Sequence, residues 1–503
     1  MKNKIGRNVG ANIIGKLWNI ISIYIFVPLW IKILGIEGYG IITFYSVLLT
    51  ILVFADAGLT ATLTREYAKT DVSIDYKRNL LKTIEFVYIF ICISVFIAVF
   101  WGAEWIVNAF LKTEAIPYIK LIYSVRFMGA IIAIYLLYSL YQGGLMGLQE
   151  QVCGNSINIL YGIMRSGVVV IPLIFYPDIL VFFFWQLFSI ILFCLVTRYK
   201  IYNYIKTDRS SSLQFGYLRL IGGYAAGMMI LTILASFNTQ LDKLLVSHLL
   251  PLSEFSKYSL ASTVGQISLM ATLPIGLAFY PEITRLVSMK KENELKVIYH
   301  KFSYIVATIS SSISLIVVFF CSDYIYIWTQ DLSISISIEF AAIILVIANL
   351  FVALQYGPYF LALANGHTKT NMILGIITII FLVILLLKLT PIYGINGAAI
   401  PFFIVNLIIF FVLGFIIINK FLKSEFKIWF LYDSLLPCII NLVMITCIVS
   451  ISKKFPQGYF TLIYGFIAFT ISLICCSLVF LKRFPEHKNN KIIKNIITWF
   501  YFR

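Results

Sequence analysis

Apolar residues run in blocks of twenty or more along the whole chain, separated by short clusters of Lys, Arg, Asn and Gly. A block of that length crosses ~30 Å of hydrocarbon as a helix. The blocks lack the ten-residue alternation of a membrane-barrel strand. The pattern predicts an all-α polytopic membrane protein with about 14 spans: residues 9–34, 40–64, 83–106, 117–147, 153–176, 179–203, 217–250, 255–284, 302–328, 336–365, 371–390, 394–419, 430–452 and 458–481. Those at 117–147, 217–250 and 336–365 run to roughly 45 Å at ~1.5 Å per residue, so they must tilt or project. No outer loop is long enough for an external domain.

The pattern also repeats. Ile33 to Lys69 is echoed without a gap by Leu249 to Arg285, at a constant offset of 216. Leu34 meets Leu250, Tyr39 meets Phe255, Gly40 meets Ser256 and Thr43 meets Ser259. Further on, Ile51 meets Ile267, Ala55 meets Ala271, Glu66 meets Glu282 and Lys69 meets Arg285. Two like halves therefore join just before Ser236–Ser253. The expected organisation is a first six-helix half over 1–208, a second over 209–424, two additional helices over 425–485 and an amphipathic tail over 486–503. Both halves begin on the same side, so the repeat is parallel, and carriers built this way rock their halves about a central cavity.

Composition adds a sidedness. The 503 residues are 61% hydrophobic and 12% charged, with mean hydropathy +0.94 and a net charge of +17. A basic excess can mark a nucleic-acid partner, but here it sits in short loops. Of 39 Lys and Arg, 27 fall on alternate loops with the termini, 7 on the opposite loops and 5 within spans. That is the asymmetry of cytoplasmic loops, so both termini are expected in the cytoplasm, with no nucleic-acid partner. Trp30, Trp101, Trp105, Trp328 and Trp429 fall at span ends, where interfacial anchors are expected. The basic start MKNKIGRNVG has no small-residue cleavage site after it and reads as part of a retained first helix. The tail from Lys491, KIIKNIITWFYFR, reads as a surface helix.

Enzyme chemistry finds little support. The eight cysteines lie in or beside apolar spans, and the four histidines have no metal-ligand spacing. No phosphate-cradling Gly-rich loop is followed by Lys. No catalytic residue, metal or cofactor is therefore expected.

Several stretches together resemble the Wzx-type polysaccharide flippases, in the superfamily that includes MATE drug exporters and the lipid II flippase. They are LGIEGYGIITFYSV (34–47), DAGLTATLTREYAK (56–69), LDKLLVSHLLPLSEFSKYSLA (241–261), FYPEITRL (279–286), YFLALANGHTKTN (359–371) and YGINGAAI (393–400). The resemblance spans the chain. It implies export of an undecaprenyl-pyrophosphate-linked oligosaccharide from the inner to the outer leaflet of the bacterial cytoplasmic membrane. Membrane lipids, and a polysaccharide polymerase with its chain-length machinery, would be its partners. A cation-coupled drug exporter of the same superfamily is the nearer alternative; a membrane polymerase or acyltransferase is the more distant one.

Such a substrate needs cations at membrane depth for its pyrophosphate. Lys16, Arg126, Arg165, Arg219 and Lys243 are the candidates. Arg219 reads as interfacial. Arg165 is about a dozen residues from either end of its span, too deep to reach water easily. Arg126 lies roughly 14 Å inside its span. Snorkelling explains Lys16 and Lys243 equally well. Asp242, beside Lys243, reads as a charge partner, for which Arg165 is one candidate. Glu66-x-x-Lys69 and Glu282-x-x-Arg285 occupy equivalent places at inner helix ends. They could cross-pair as a cytoplasmic gate or pair locally at i,i+3. Asp56 reads as a helix partner.

Overall fold

The structure is a computed structural model that describes residues 2–69, 71–207, 212–453, 455 and 458–484. Every regular element among them is helical. The helices are α1 (Lys2–Leu52), α2 (Leu59–Ala68), α3 (Ile74–Phe110), α4 (Tyr118–Gly147), α5 (Gln151–Gly162), α6 (Val170–Phe175), α7 (Ile179–Tyr204), α8 (Gly216–Leu249) and α9 (Leu252–Gly265). They continue as α10 (Ile267–Ser288), α11 (Glu292–Phe319), α12 (Cys321–Thr329), α13 (Leu332–Leu354), α14 (Tyr356–Ala364), α15 (Thr368–Phe421), α16 (Phe426–Ile428), α17 (Leu436–Ser452) and α18 (Phe460–Arg483). Among the described residues, 11 stretches are long and apolar enough to cross a membrane. Fourteen crossings are compatible with them, because α1 and α15 each hold two predicted spans and α8 supplies another. The tail from Lys491 lies outside the described residues.

The breaks in α1 and α15 have one cause. Gly35 (φ 75°, ψ 173°) and Gly394 (φ 58°, ψ −135°) take conformations that a side chain disfavours. Each opens the same four-residue pattern, Gly35-Ile36-Glu37-Gly38 and Gly394-Ile395-Asn396-Gly397. The second glycine lets the outgoing helix close on the incoming one. A Cβ on Gly38 would stand 2.7 Å from that of Leu34, and one on Gly397 would strike the Leu389 carbonyl.

Two compact units divide the chain, Met1–Ser259 and Leu260–Arg503. In the first, α4 lies against α2, α3 and α7. Gly143 and Gly147 make the approach of α2 possible, and Gly144 that of Ile201 on α7: a Cβ on Gly147 would come within 2.5 Å of the Thr64 carbonyl. The Thr64 hydroxyl then donates to the Gly143 carbonyl at 2.9 Å. Gly40 packs directly on Ser256. These two positions are equivalent in the 216-residue register.

In the second unit, a polar seam joins α11 to α17 and α18. Asn441 Nδ2 donates to Ser311 Oγ at 2.7 Å and to the Thr308 carbonyl at 3.0 Å. Ser312 and Ser472 share a hydrogen bond of 2.9 Å. Two serines of the ATISSSIS run thus make interhelical contacts, while Ser310 bonds back to the Val306 carbonyl of its own helix. Trp429 is fully buried against Phe410 and Phe426, its indole fitted where Gly414 has no side chain. It does not act as the interfacial anchor expected from its place at a span end. Trp101 and Trp105, 79% and 68% exposed, do fit that role.

Within each unit the loops sort onto two sides as the alternation requires. In the first, Lys112 donates to the His248 carbonyl and Lys120 pairs with Asp178, joining loops predicted to be outer. Arg78 donates to the Thr207 carbonyl and Tyr67 to the Lys77 carbonyl, joining loops predicted to be inner. In the second, Lys296 pairs with Glu425 at one side and Tyr459 donates to Gln330 at the other. Phe86, Phe90, Ile93 and Ile97 recur at helical spacing on an exposed face of α3, the stripe a helix turns to lipid.

Alanine at Gly35 or Gly394 should cost ~1–2 kcal/mol and lower the melting temperature in detergent. Alanine at Gly223, helical with open space around it, should leave melting unchanged or raise it. Wild-type melting of the Gly394→Ala protein would show that the corner does not need its glycine.

Candidate functional site

Buried charge in a bilayer needs a partner. Most charged groups inside the units are satisfied by protein. Glu85 on α3 accepts from Arg198 Nε at 2.6 Å, Tyr141 at 2.5 Å and Tyr202 at 2.5 Å. Asp433, fully buried, lies 2.5 Å from His300 Nδ1 and 2.6 Å from Arg483. His300 Nε2 faces Glu425 at 3.2 Å, and Glu425 also holds Lys296 at 2.9 Å. Each ring nitrogen of His300 thus faces a carboxylate. This chain of alternating charges ties the last two spans to α11. Sequence reading passed over Glu85, His300, Asp433 and Arg483, whose partners lie over a hundred residues away in most cases.

Arg165 is different. It sits in a π-helical turn, Ile163–Val168, between α5 and α6. Pro172 lacks the N–H that would close the ladder there, and Gly167 lets Phe26 of α1 pack against the turn. Widening frees carbonyls, and α7 supplies donors for them. Trp185 Nε1 donates to the Met164 carbonyl at 2.9 Å, and Gln186 Nε2 to the Arg165 carbonyl at 2.7 Å. Such turns re-aim a side chain and recur at functional sites.

The Arg165 guanidinium is directed among tyrosines. Its carbon lies 5.4 Å from the Tyr161 ring centroid, and Tyr45 of α1 and Tyr135 of α4 also face it. Tyr138 lies tilted against Tyr161 at 5.2 Å, and Phe183 stands edge-on to Tyr45 at 5.9 Å. Among the described residues no carboxylate pairs with Arg165. The side chain keeps part of its surface accessible although protein surrounds it. Tyr161, one turn before Arg165, could have been found from the i,i+4 spacing; Tyr45 and Tyr135 could not.

The other sequence candidates lie elsewhere. Arg126 places its guanidinium 4.6 Å from Phe100 and 5.9 Å from Tyr123. At ~100° per residue it is half a turn round α4 from Tyr135 and ~14 Å along it, so the helix does not bring it to Arg165. Asp242 accepts from Tyr258 at 2.8 Å rather than from Arg165. Lys243 is its neighbour on α8, half-buried. The backbone of Lys16 lies in α1; its side chain falls outside the described residues. Glu66 takes Lys69 at 2.6 Å and Glu282 takes Arg285 at 2.6 Å, each pair closing locally along its own helix. Asp56 caps α2, accepting from the Thr60 amide at 3.2 Å and its hydroxyl at 2.5 Å. The described residues hold no cluster of metal-ligating side chains.

The fold is one known from membrane carriers. A structure of the lipid II flippase MurJ in an inward closed conformation superposes with a TM-score of 0.70. It shares 13% identity, covering 95% of this chain and 99% of that one. An inward-facing multidrug resistance MATE family transporter of the MOP superfamily gives a TM-score of 0.66 at 14% identity, covering 82% and 96%. Residues 5–287 match the pattern of the polysaccharide biosynthesis proteins, and the chain belongs to that family. A Shigella flexneri protein named "Putative O-antigen transporter" is 25% identical over 383 residues, covering 73% of this chain and 86% of that protein. The chain is thus a multi-pass membrane protein of a transporter family.

Two stability measurements check these partnerships. Asp433→Ala should cost ~3 kcal/mol, because it leaves His300 and Arg483 buried without their carboxylate. An unchanged melting temperature would mean the network adds no stability. In a double-mutant cycle, Arg165→Ala and Asp242→Asn should be additive within ~0.5 kcal/mol. A larger coupling would make Asp242 the partner of Arg165.

Proposed function

We propose that this protein flips undecaprenyl-pyrophosphate-linked oligosaccharide from the inner to the outer leaflet of the bacterial cytoplasmic membrane by alternating access. Arg165 carries the reading. A guanidinium at mid-depth costs ~2.5–3.5 kcal/mol even on the lenient insertion scale. Among the described residues it has no carboxylate to offset that cost, and an anionic headgroup would. Its planar fork suits two phosphoryl oxygens at once, which a lysine cannot match. Membership of the polysaccharide biosynthesis family supports a lipid-linked glycan as the cargo. A drug exporter binding cations would place a carboxylate, not an unpaired arginine, at this depth.

The direction of transport follows from charge. A cell interior that is negative drives anions outward by ~2.3 kcal/mol per charge per 100 mV. Two headgroup charges would contribute about 4–5 kcal/mol on that scale. Both termini would then be cytoplasmic, with the basic loops facing the same compartment.

Deletion of the gene should leave lipid-linked oligosaccharide on the inner leaflet, measured by extraction and glycan analysis of inverted and upright vesicles. Complementation by Arg165→Ala should fail at normal membrane levels, and Arg165→Lys should restore a minor part. Full complementation by Arg165→Ala would move the headgroup site elsewhere.

A further inference from the structure

Two phenols beside Arg165 have no acceptor for their protons. Tyr45 and Tyr161 are 5% and 2% exposed; the Tyr161 oxygen accepts from Arg165, and among the described residues neither hydroxyl proton finds an acceptor. The cation facing them supplies only N–H donors, so it cannot receive those protons. Burying a hydroxyl proton without an acceptor costs ~1–3 kcal/mol. Evolution could remove the cost at either position with phenylalanine, which has the same shape. Instead two O–H groups without an acceptor, on α1 and α5, lie near the one guanidinium of the π turn. The rings of Tyr138 and Phe183 pack beside the two phenols.

We propose that Tyr45 and Tyr161 are specificity residues that, with Arg165, form a donor-only cradle for the diphosphate of the substrate. The inference rests on the headgroup reading of Arg165. Its chemistry follows from the donor set. A sugar hydroxyl brings a proton that needs an acceptor, and the cradle offers none beyond phenol oxygens. A diphosphate ester brings acceptors alone, enough for a guanidinium fork and two O–H groups. A sugar carboxylate shares that acceptor-only character but has two oxygens rather than several, so it leaves donors idle.

The test uses the full-length protein purified in detergent, titrated with farnesyl diphosphate, with farnesol and glucuronate as controls. Wild type should bind the diphosphate and neither control. Tyr45→Phe and Tyr161→Phe should each weaken binding about tenfold, the loss of one hydrogen bond to a charged group. Without ligand, Tyr45→Phe should melt at or above the wild-type temperature, because the substitution removes an unsatisfied hydroxyl. A merely structural phenol would give the opposite signature, lower melting with unchanged affinity, and that result overturns the proposal. So does preferential binding of glucuronate. If Arg165→Ala abolishes binding while both phenylalanine variants keep wild-type affinity, the tyrosine assignment falls and the headgroup reading stands. If wild type does not bind farnesyl diphosphate, both fall together.

Discussion

Hydrocarbon offers a charge nothing to bond with, and that constraint shapes most of what this molecule does with its ionisable groups. Glu85 collects an arginine and two phenols from α4 and α7. Asp433 collects a histidine and an arginine from α11 and α18. Both clusters fasten helices that are distant in sequence. Packing alone has less to offer here than in water, because lipid is as apolar as a leucine side chain. Close approach at Gly143 and Gly147 and the Asn441–serine seam supply the rest.

The same constraint separates Arg165 from these structural charges. Two π-helical turns occur among the described residues, and each contains a charged side chain, Arg165 in one and Asp433 in the other. A widened turn redirects its side chain and frees backbone carbonyls, a cost that neighbouring helices must offset. At Asp433 the redirected carboxylate finds cations. At Arg165 the redirected guanidinium finds phenols. The local devices are alike, yet only the first closes its charge balance with protein.

Much of the fold was legible because the bilayer imposes a simple code. Apolar length and loop charge located the spans, and the internal contacts of each unit sort the loops as that alternation requires. The corner at Gly394 was visible as YGINGAAI, since a glycine pair between apolar blocks is hard to place otherwise. Arg165 was visible as a charge with no counter-charge on its own span. What escaped notice depends on partners that local sequence does not contain. The π turn rests on donors from Trp185 and Gln186, one helix away. Trp429 looked like an interfacial anchor until Gly414 of α15 proved to hold the space for its indole. Arg126, also well inside its span, turns to Phe100 instead, a difference of helix face that depth alone does not reveal.

The central claim is that Arg165 handles the charged headgroup during translocation. The most direct measurement is leaflet transfer in proteoliposomes. Purified protein would be reconstituted with fluorescent undecaprenyl-pyrophosphate-linked oligosaccharide, and movement followed by accessibility to a membrane-impermeant quencher. The account predicts transfer by wild type and, for Arg165→Ala inserted and folded to the same extent, a rate about a hundredfold lower, the ~2.7 kcal/mol expected for losing a charge-assisted contact. Transfer by Arg165→Ala at the wild-type rate would contradict it.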